Sequence, residues 1–226
     1  MKARHRHRIY PNIAQRRMLA WTFGCVRVVF NDTLRLRQEE YQSTKNTISS
    51  TELQKRLITQ AKHTAERWWL ADVTSIALQQ SVQDACLAFK NFFQSLRGQR
   101  TGKKVGFPRF KRKSNAQSFR LTRGGFKLRN NGKLYLAKIG DVKVQWSREL
   151  PSEPSSVTVI QDAAGRYFVS FVCEVEPIEQ PAPTDGVGID LGITTFATLS
   201  TGEKVANPRI LQRQLKKLRR DRKSVV

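Results

Sequence analysis

The stretch Gly186-Val187-Gly188-Ile189-Asp190-Leu191-Gly192, followed by Ile193-Thr194-Thr195-Phe196-Ala197-Thr198-Leu199-Ser200, decides how this chain is read. Its alternation predicts a buried strand leading into a second one. Val187, Ile189 and Leu191 fall on one face. Gly186, Gly188, Asp190 and Gly192 fall on the other, so one carboxylate stands on a strip with no other side chain. Such a strip lets a metal ion or a phosphate backbone come close to the main chain.

The surrounding composition says what that carboxylate serves. Lys and Arg number 41 against 18 acids, a formal charge of +23 with a pI near 10.7, which belongs to nucleic-acid-binding proteins rather than to metabolic enzymes. From Ala85 to Gly140 there is no Asp or Glu, yet there are fifteen Lys and Arg. A stretch of one sign this long meets a polyanion: nucleic acid first, an anionic membrane surface second. No apolar run reaches the roughly 18 residues of a membrane span. Met1-Lys2-Ala3-Arg4-His5-Arg6-His7-Arg8 has no apolar core behind its charges and is not a secretory signal. Cys25, Cys86 and Cys173 sit singly in apolar patterns, as buried free thiols of a reducing compartment do. With no Cys-x-x-Cys, a zinc site is not expected.

Along the chain, residues 2 to 10 alternate Lys2, Arg4, Arg6 and Arg8 with Ala3, His5, His7 and Ile9, a strand with one cationic face, read most simply as a solvated edge strand. Asn12 and Gln15 have capping-box spacing. Leu19, Phe23, Val26, Phe30 and Leu34 then mark an amphipathic helix to about Tyr41. Residues 42 to 50 read as a loop. Ser49 and Glu52 open a second helix through Leu53, Leu57 and Ala61 to Trp68-Trp69, a pair read as core anchors, with base stacking as the other reading. A third helix from near Asp72 carries Leu78, Val82, Ala85, Phe89, Phe93 and Leu96 as its buried stripe. Arg97 to Lys113 holds eight basic residues among seventeen, and Phe107-Pro108-Arg109-Phe110 lies within it. A disordered basic linker has no need of apolar anchors, so a docked loop gripping phosphates is the better reading.

From Ser118 the period becomes two. Phe119-Arg120-Leu121, Phe126-Lys127-Leu128, Leu134-Tyr135-Leu136, Val142 to Trp146, Val157 to Ile160 and Tyr167 to Val175 alternate, with turns at Asn130-Asn131-Gly132 and Asp162 to Gly165. Five or six antiparallel strands predict a small barrel that residues 2 to 10 join, the helices being an insertion. Its cationic outer positions, Arg120, Lys127, Arg129, Lys133, Lys138 and Lys143, suit a nucleic-acid backbone and would serve solubility equally well. Glu176 to Asp185, rich in proline, is the clearest linker. In the basic helix at the end, Leu211, Leu215 and Leu218 are expected to face inward.

Several blocks now coincide with one family. Tyr10-Pro11-Asn12 with Gln15, Phe30-Asn31, Ala77-Leu78-Gln79-Gln80-Ser81, Phe89-Lys90-Asn91-Phe92-Phe93, Lys103-Lys104-Val105-Gly106-Phe107-Pro108-Arg109-Phe110-Lys111 and Gly188-Ile189-Asp190-Leu191-Gly192 occur in order. The chain resembles the TnpB (OrfB) proteins of bacterial insertion sequences, relatives of the type V CRISPR effectors. The resemblance implies an α+β fold. An oligonucleotide-binding-like wedge barrel (1-12 and 101-178) would hold an inserted helical recognition lobe (13-100). A linker (179-186) would then lead to the first strands of an RNase H-like RuvC domain (187-226). It also implies an RNA-guided DNA endonuclease, cytoplasmic and nucleoid-associated in a bacterium, using Mg2+ and no zinc within this chain. Its partners would be a guide RNA from the transposon end and target double-stranded DNA, without a membrane; base pairing supplies sequence specificity and the protein reads shape and a short motif. Asp190 would be catalytic, the first of three acidic metal ligands. Gln79 and Gln80 would face the motif duplex. The basic positions expected on nucleic acid are Lys103, Lys104, Arg109, Lys111, Arg112, Lys113, Arg120 and Lys127.

The family's pattern continues with a Glu, a second Asp and a Cys-x-x-Cys ribbon that do not follow here. Two divalent ions roughly 4 Å apart clamp the attacking and leaving oxygens in such chemistry, and one carboxylate cannot hold both. Asp162, Asp185, Glu203 and Asp221 read as turn or surface residues. The expectation is a C-terminally truncated nuclease that retains RNA binding and does not cut. The alternatives are a non-catalytic DNA-binding regulator using the helices, and a nuclease completed by another chain. Residues 187 to 200 are expected to borrow cover from the rest of the chain or to expose an apolar edge.

Overall fold

The computed structural model describes residues 1–114, 116–176 and 186–223, with side chains to Arg220. The polypeptide divides into two units, Met1–Pro177 and Ile178–Val226. Asp185 and nearly all of the expected linker lie outside the described residues, as does the side chain of Asp221.

In the first unit a seven-stranded sheet runs β2-β6-β7-β1-β5-β4-β3. Its strands are β1 (Lys2–Tyr10), β2 (Gln117–Thr122), β3 (Phe126–Leu128), β4 (Lys133–Leu136), β5 (Gly140–Gln145), β6 (Ser156–Gln161) and β7 (Tyr167–Glu174). Every ladder is antiparallel. The two edge strands, β2 and β3, are consecutive in the chain and joined through a turn in which the Gly125 N–H donates to the Thr122 carbonyl (2.9 Å). The sheet therefore curls until its edges meet at that turn, with no ladder between them. β1 is the correction: it is a central strand, paired with β7 from Lys2 to Ile9 and with β5 from Arg8 to Tyr10. Alternation is the same at the edge and the middle of a sheet, so sequence period could not tell the two apart.

One face of the sheet is apolar and fully buried, with Ile9, Leu121, Leu134, Val142, Val157, Val159 and Phe171 at its heart. Helix α1 (Ile13–Thr44) packs on it; the ring of Phe23 lies 5.3 Å from that of Phe119. The N-terminus of α1 carries the expected capping box, Asn12 Oδ1 accepting from the Gln15 N–H and Gln15 Oε1 from the Asn12 N–H. Gln15 Nε2 also donates to the Asp141 carbonyl, tying the helix start to β5. Helix α3 (Ser75–Leu96) buries Ala77, Leu78, Ser81, Val82, Ala85 and Phe89, and the Ser81 hydroxyl donates to the Val26 carbonyl (2.6 Å).

The second helix is not continuous. A short α2 (Ser50–Gln54), capped by Ser49, passes into a π turn at Lys55–Gln60 and a 3-10 turn at Ala61–His63. Thr64 is extended, and its hydroxyl donates back to the Ala61 carbonyl, a side chain competing with the helix for backbone groups. Phe93 and Leu96, expected in the stripe of α3, are exposed. The tryptophans divide: Trp69 meets Trp21 edge-on at 5.9 Å, while Trp68 is exposed. Cys25, Cys86 and Cys173 are free thiols; burial pushes Cys25 up to about 12, which leaves it unreactive.

Inside the sheet, His7 is buried against Trp146 (4.9 Å) and Phe171 (5.9 Å), its Nε2 without a partner. Desolvation pushes its pKa below the usual 6.5, aided by the charges of Arg148 and His5 and partly opposed by the Gln145 carbonyl. The unfolded chain then takes up this proton first as the pH falls. The stability His7 contributes is complete above the ordinary imidazole range and is lost on acidification through it toward the lower folded value. Urea midpoints should fall between about pH 7.5 and pH 5, and His7→Phe should flatten that fall; an unchanged slope in His7→Phe would refute this origin.

The second unit is a three-stranded antiparallel sheet of β8 (Ile189–Leu191), β9 (Thr195–Leu199) and β10 (Lys204–Ala206), in the order β10-β9-β8, followed by α4 (Ile210–Lys223). The third strand was not anticipated. It follows a turn in which Gly202 has φ +90° and donates to the Leu199 carbonyl.

Candidate nucleic-acid interface

The basic segment between α3 and β2 has no regular structure, yet three of the sequence blocks meet to hold it. Asn31 on α1 grips both backbone groups of one residue: its Nδ2 donates to the Lys111 carbonyl (3.0 Å) and its Oδ1 accepts from the Lys111 N–H (2.8 Å). The Lys111 ammonium lies 4.0 Å from the centre of the Phe30 ring. Phe107 meets the rings of Phe89 (5.5 Å) and Phe92 (5.2 Å) edge-on. The Val105 N–H donates to the Ser95 hydroxyl. Aromatic contacts and the two hydrogen bonds of the Asn31 amide thus dock the segment onto the helices.

Docking sorts its charges. Lys103, Lys104, Arg109, Arg112 and Lys113 are exposed and in no ion pair among the described residues. Lys111 is turned inward. Burial pushes its pKa down, with Asp84 pulling the other way. Arg120 is held by Asp84 at 2.7 Å, and desolvation pushes the Asp84 carboxyl up against the pull of Arg120 and Lys111. Lys111 and Arg120 thus share the charge of Asp84 in a half-buried cluster linking the segment, α3 and β2. Lys127 is exposed on β3. Gln79 is exposed and Gln80 half-buried, because Ala77, Leu78 and Ser81 of the same turns face α1. Sequence reasoning missed Asn31 as the latch; the signal was its block recurring with the phenylalanine-rich ones.

In the second unit Asp190 is exposed on β8, in register with Thr198 on β9, which in turn pairs with Lys204 on β10. The cross-strand row on that face is thus acid, hydroxyl, ammonium. Among the described residues no three His, Cys, Asp or Glu side chains gather to hold a metal. The buried strand expected at 187–191 is not buried: Val187, Ile189 and Leu191 are 51%, 63% and 70% exposed. Leu211, Leu215 and Leu218 of α4 are exposed as well. Three short strands and one helix do not cover their own apolar faces.

The glycines around Asp190 differ in kind. A Cβ on Gly192 would stand 2.9 Å from the Thr195 carbonyl oxygen, closer than real contacts allow, whereas on Gly188 it would meet Ser200 Cβ at an ordinary 3.5 Å and on Gly186 nothing within 4 Å. Local packing therefore requires glycine only at Gly192. Gly192→Ala should loosen the β8–β9 connection at a cost of about 1–3 kcal/mol, while Gly188→Ala should be close to neutral; amide exchange at position 192, whose N–H donates to the Phe196 carbonyl (3.3 Å), reads the difference, and equal behaviour would contradict it.

No helix among the described residues is long and apolar enough to cross a membrane. Comparison with known proteins then gives concordant results. Residues 1–46 match an OrfB-type model described as "Helix-turn-helix domain", and residues 170–225 match the OrfB model described as "Probable transposase". A "Putative RNA-guided DNA endonuclease" of Streptomyces pristinaespiralis is 40% identical over 229 residues, covering 100% of this chain and 54% of that protein. The "Putative RNA-guided DNA endonuclease InsQ" of Escherichia coli K12 is 32% identical over 198 residues, 87% of this chain and 47% of its own length. "Virulence protein VsdF" of Salmonella dublin is 33% identical over 111 residues, 46% of this chain and 88% of its own length. The chain spans about half the length of the two endonuclease relatives. Matched by OrfB models at both ends and by these relatives along its length, the chain belongs to the TnpB/OrfB family of insertion-sequence proteins.

Proposed function

We propose that this chain binds a guide RNA and target double-stranded DNA as the gripping part of a transposon-encoded RNA-guided DNA endonuclease. It works in the bacterial cytoplasm at the nucleoid. The observation that carries the reading is the docked, acid-free segment, whose five exposed cations are held on a fixed surface instead of on a tether. A preorganised cationic surface binds a phosphate backbone without the ordering cost of a loose one. In this reading residues 1-12 and 101-178 form the wedge, 13-100 the recognition lobe with Gln79 and Gln80 toward the motif duplex, and 187-226 the opening of a RuvC domain of RNase H fold.

In this reading Mg2+ is the cofactor and Asp190 one of its ligands. The described residues supply no second carboxylate on that face, only Thr198 and Lys204 in the same row. They do not fit a two-ion site by themselves, and in this reading they do not cut DNA alone.

Filter binding tests the reading. RNA transcribed from the element's own end should bind better than random RNA of equal length; equal affinity would overturn guide recognition. Cleavage by the purified chain that needs both Mg2+ and Asp190 would overturn the non-cutting part. The second reading, a duplex-binding regulator, draws on the helix-turn-helix description of residues 1–46. That span is one strand and one uninterrupted helix, α1, which offers no second helix to enter a groove. Sequence-selective duplex binding without RNA would revive it.

A further inference from the structure

β3 is an end strand of the seven-stranded sheet and pairs with β4 alone. The Ala137 N–H donates to the Gly125 carbonyl and the Arg129 N–H to the Lys133 carbonyl, both at 2.9 Å, and these two bonds fix the phase of the ladder. Bonded positions alternate in antiparallel pairing, so Gly125, Lys127 and Arg129 turn their backbone groups toward β4. Phe126 and Leu128 turn theirs to the free side, where no hydrogen bond among the described residues reaches them. Solvent satisfies such groups at an open edge, and an added strand can take its place.

The connection from β5 to β6 shares two cavities with this strand. One, of about 300 Å³, is lined by Phe126 and Leu128 and by Glu153 and Pro154. The other, of about 440 Å³, is lined by Leu128 together with Trp146 and Leu150. Phe126, Leu128, Trp146 and Leu150 are half-buried against the core, which makes these walls apolar. Lys127 is exposed on the opposite face of the strand. It is in no ion pair among the described residues, and neither are Glu149 and Glu153 at the two cavities.

A short end strand with a central lysine is also an ordinary defence against chance pairing. That defence is selective, because a position directly opposite Lys127 repels a like charge and attracts an acid. A second copy of this chain is thereby disfavoured: antiparallel pairing of the edge with itself, Phe126 opposite Leu128, sets Lys127 against Lys127. A polyanion fits no better, since its phosphates carry no donor for the Phe126 and Leu128 carbonyls and would meet Glu149 and Glu153 at the cavities. We propose that the free edge of β3 takes an extended segment of a partner protein, with apolar residues opposite Phe126 and Leu128 that fill the two cavities and an acidic residue between them opposite Lys127. The backbone of that segment continues the sheet by strand addition, and the cavities and Lys127 select its side chains. The site stands apart from the nucleic-acid reading, and either can fail without the other.

Fluorescence anisotropy of labelled, end-blocked pentapeptides with the full chain tests this. The probe has threonine at both ends, valine at its second and fourth positions and glutamate at its centre. It should bind about fivefold tighter than the same peptide with a central lysine. Lys127→Glu, a change at an exposed side chain, should reverse that preference. Methylating both valine nitrogens removes the donors to the Phe126 and Leu128 carbonyls and should weaken binding by about tenfold or more. Amide exchange at Phe126 and Leu128 should slow when the glutamate peptide is bound. No binding at millimolar peptide, equal affinity for the glutamate and lysine peptides, or no loss on methylation would each overturn the proposal. So would single-stranded RNA that slows exchange at Phe126 and Leu128 where the peptides do not, a result that gives the edge to nucleic acid.

Discussion

Phe171→Ala is expected to remove about 3–5 kcal/mol from the unfolding free energy of Met1–Pro177, the largest single-residue effect on stability foreseen for this chain. Phe171 is fully buried in β7, which pairs with β6 on one side and β1 on the other. Its ring stacks on Trp146 at 5.6 Å, with 17° between the planes, and lies 5.9 Å from His7. Truncation loses the transfer energy of the ring and leaves a hole whose walls belong to three strands, so collapse around it is limited. Trp146 gives the readout, its fluorescence reporting the same transition as far-UV circular dichroism during urea unfolding. Phe168, three residues earlier on the same strand, points to the outer face and is the internal comparison. Phe168→Ala should cost far less stability, because its ring lies against the Arg6 and Arg8 guanidinium groups and not in the core. If Phe171→Ala cost less than about 1 kcal/mol, or Phe168→Ala cost more than it, the assignment of faces in this sheet would be wrong.

What the sequence revealed follows the range of the interactions concerned. The cap of α1 at Asn12 and Gln15 and the hairpins at Gly132 and Gly165 are set by residues within a few positions of one another, and all were legible. The period-two strands were legible too, because alternation records burial directly. The place of β1 in the sheet was not, since strand order depends on partners more than a hundred positions away: Ile9 pairs with Val144 and Tyr167. The break at Thr64 was hidden because Leu53, Leu57 and Ala61 keep helical spacing almost up to it, while Thr64 ends the run, its hydroxyl donating back to the Ala61 carbonyl. In the same way the exposed cations Lys103, Lys104, Arg109, Arg112 and Lys113 could be anticipated from charge alone. Lys111 and Arg120 could not be told apart from them, because Asn31 lies 80 positions from Lys111, and Asp84 36 from Arg120. Leu211, Leu215 and Leu218 have an amphipathic pattern that was read as burial; pattern gives the face, not what covers it.

Asn31→Ala is expected to free the basic segment while leaving the sheet intact, and this separation is the sharpest test of the latch. Two hydrogen bonds to the backbone of Lys111, at 2.8 and 3.0 Å, disappear with the amide. If the Lys111 peptide stayed in place, each unsatisfied backbone group would cost about 1–3 kcal/mol. The segment has another course, which is to swing out and hydrate, since it belongs to no strand or helix. The penalty then emerges as local opening, not as global unfolding. Amide exchange at Lys111 should accelerate by at least about tenfold, with the urea midpoint nearly unchanged and RNA affinity reduced as Arg109, Arg112 and Lys113 lose their fixed surface. Asn31→Asp keeps the acceptor for the Lys111 N–H and sets a second oxygen against the Lys111 carbonyl, so its exchange should fall between wild type and Asn31→Ala. Lys111 protection that survives Asn31→Ala would mean that Phe30, Phe89 and Phe92 hold the segment without the amide. Cooperative loss of the whole sheet would mean that the segment is part of the core and not a docked grip.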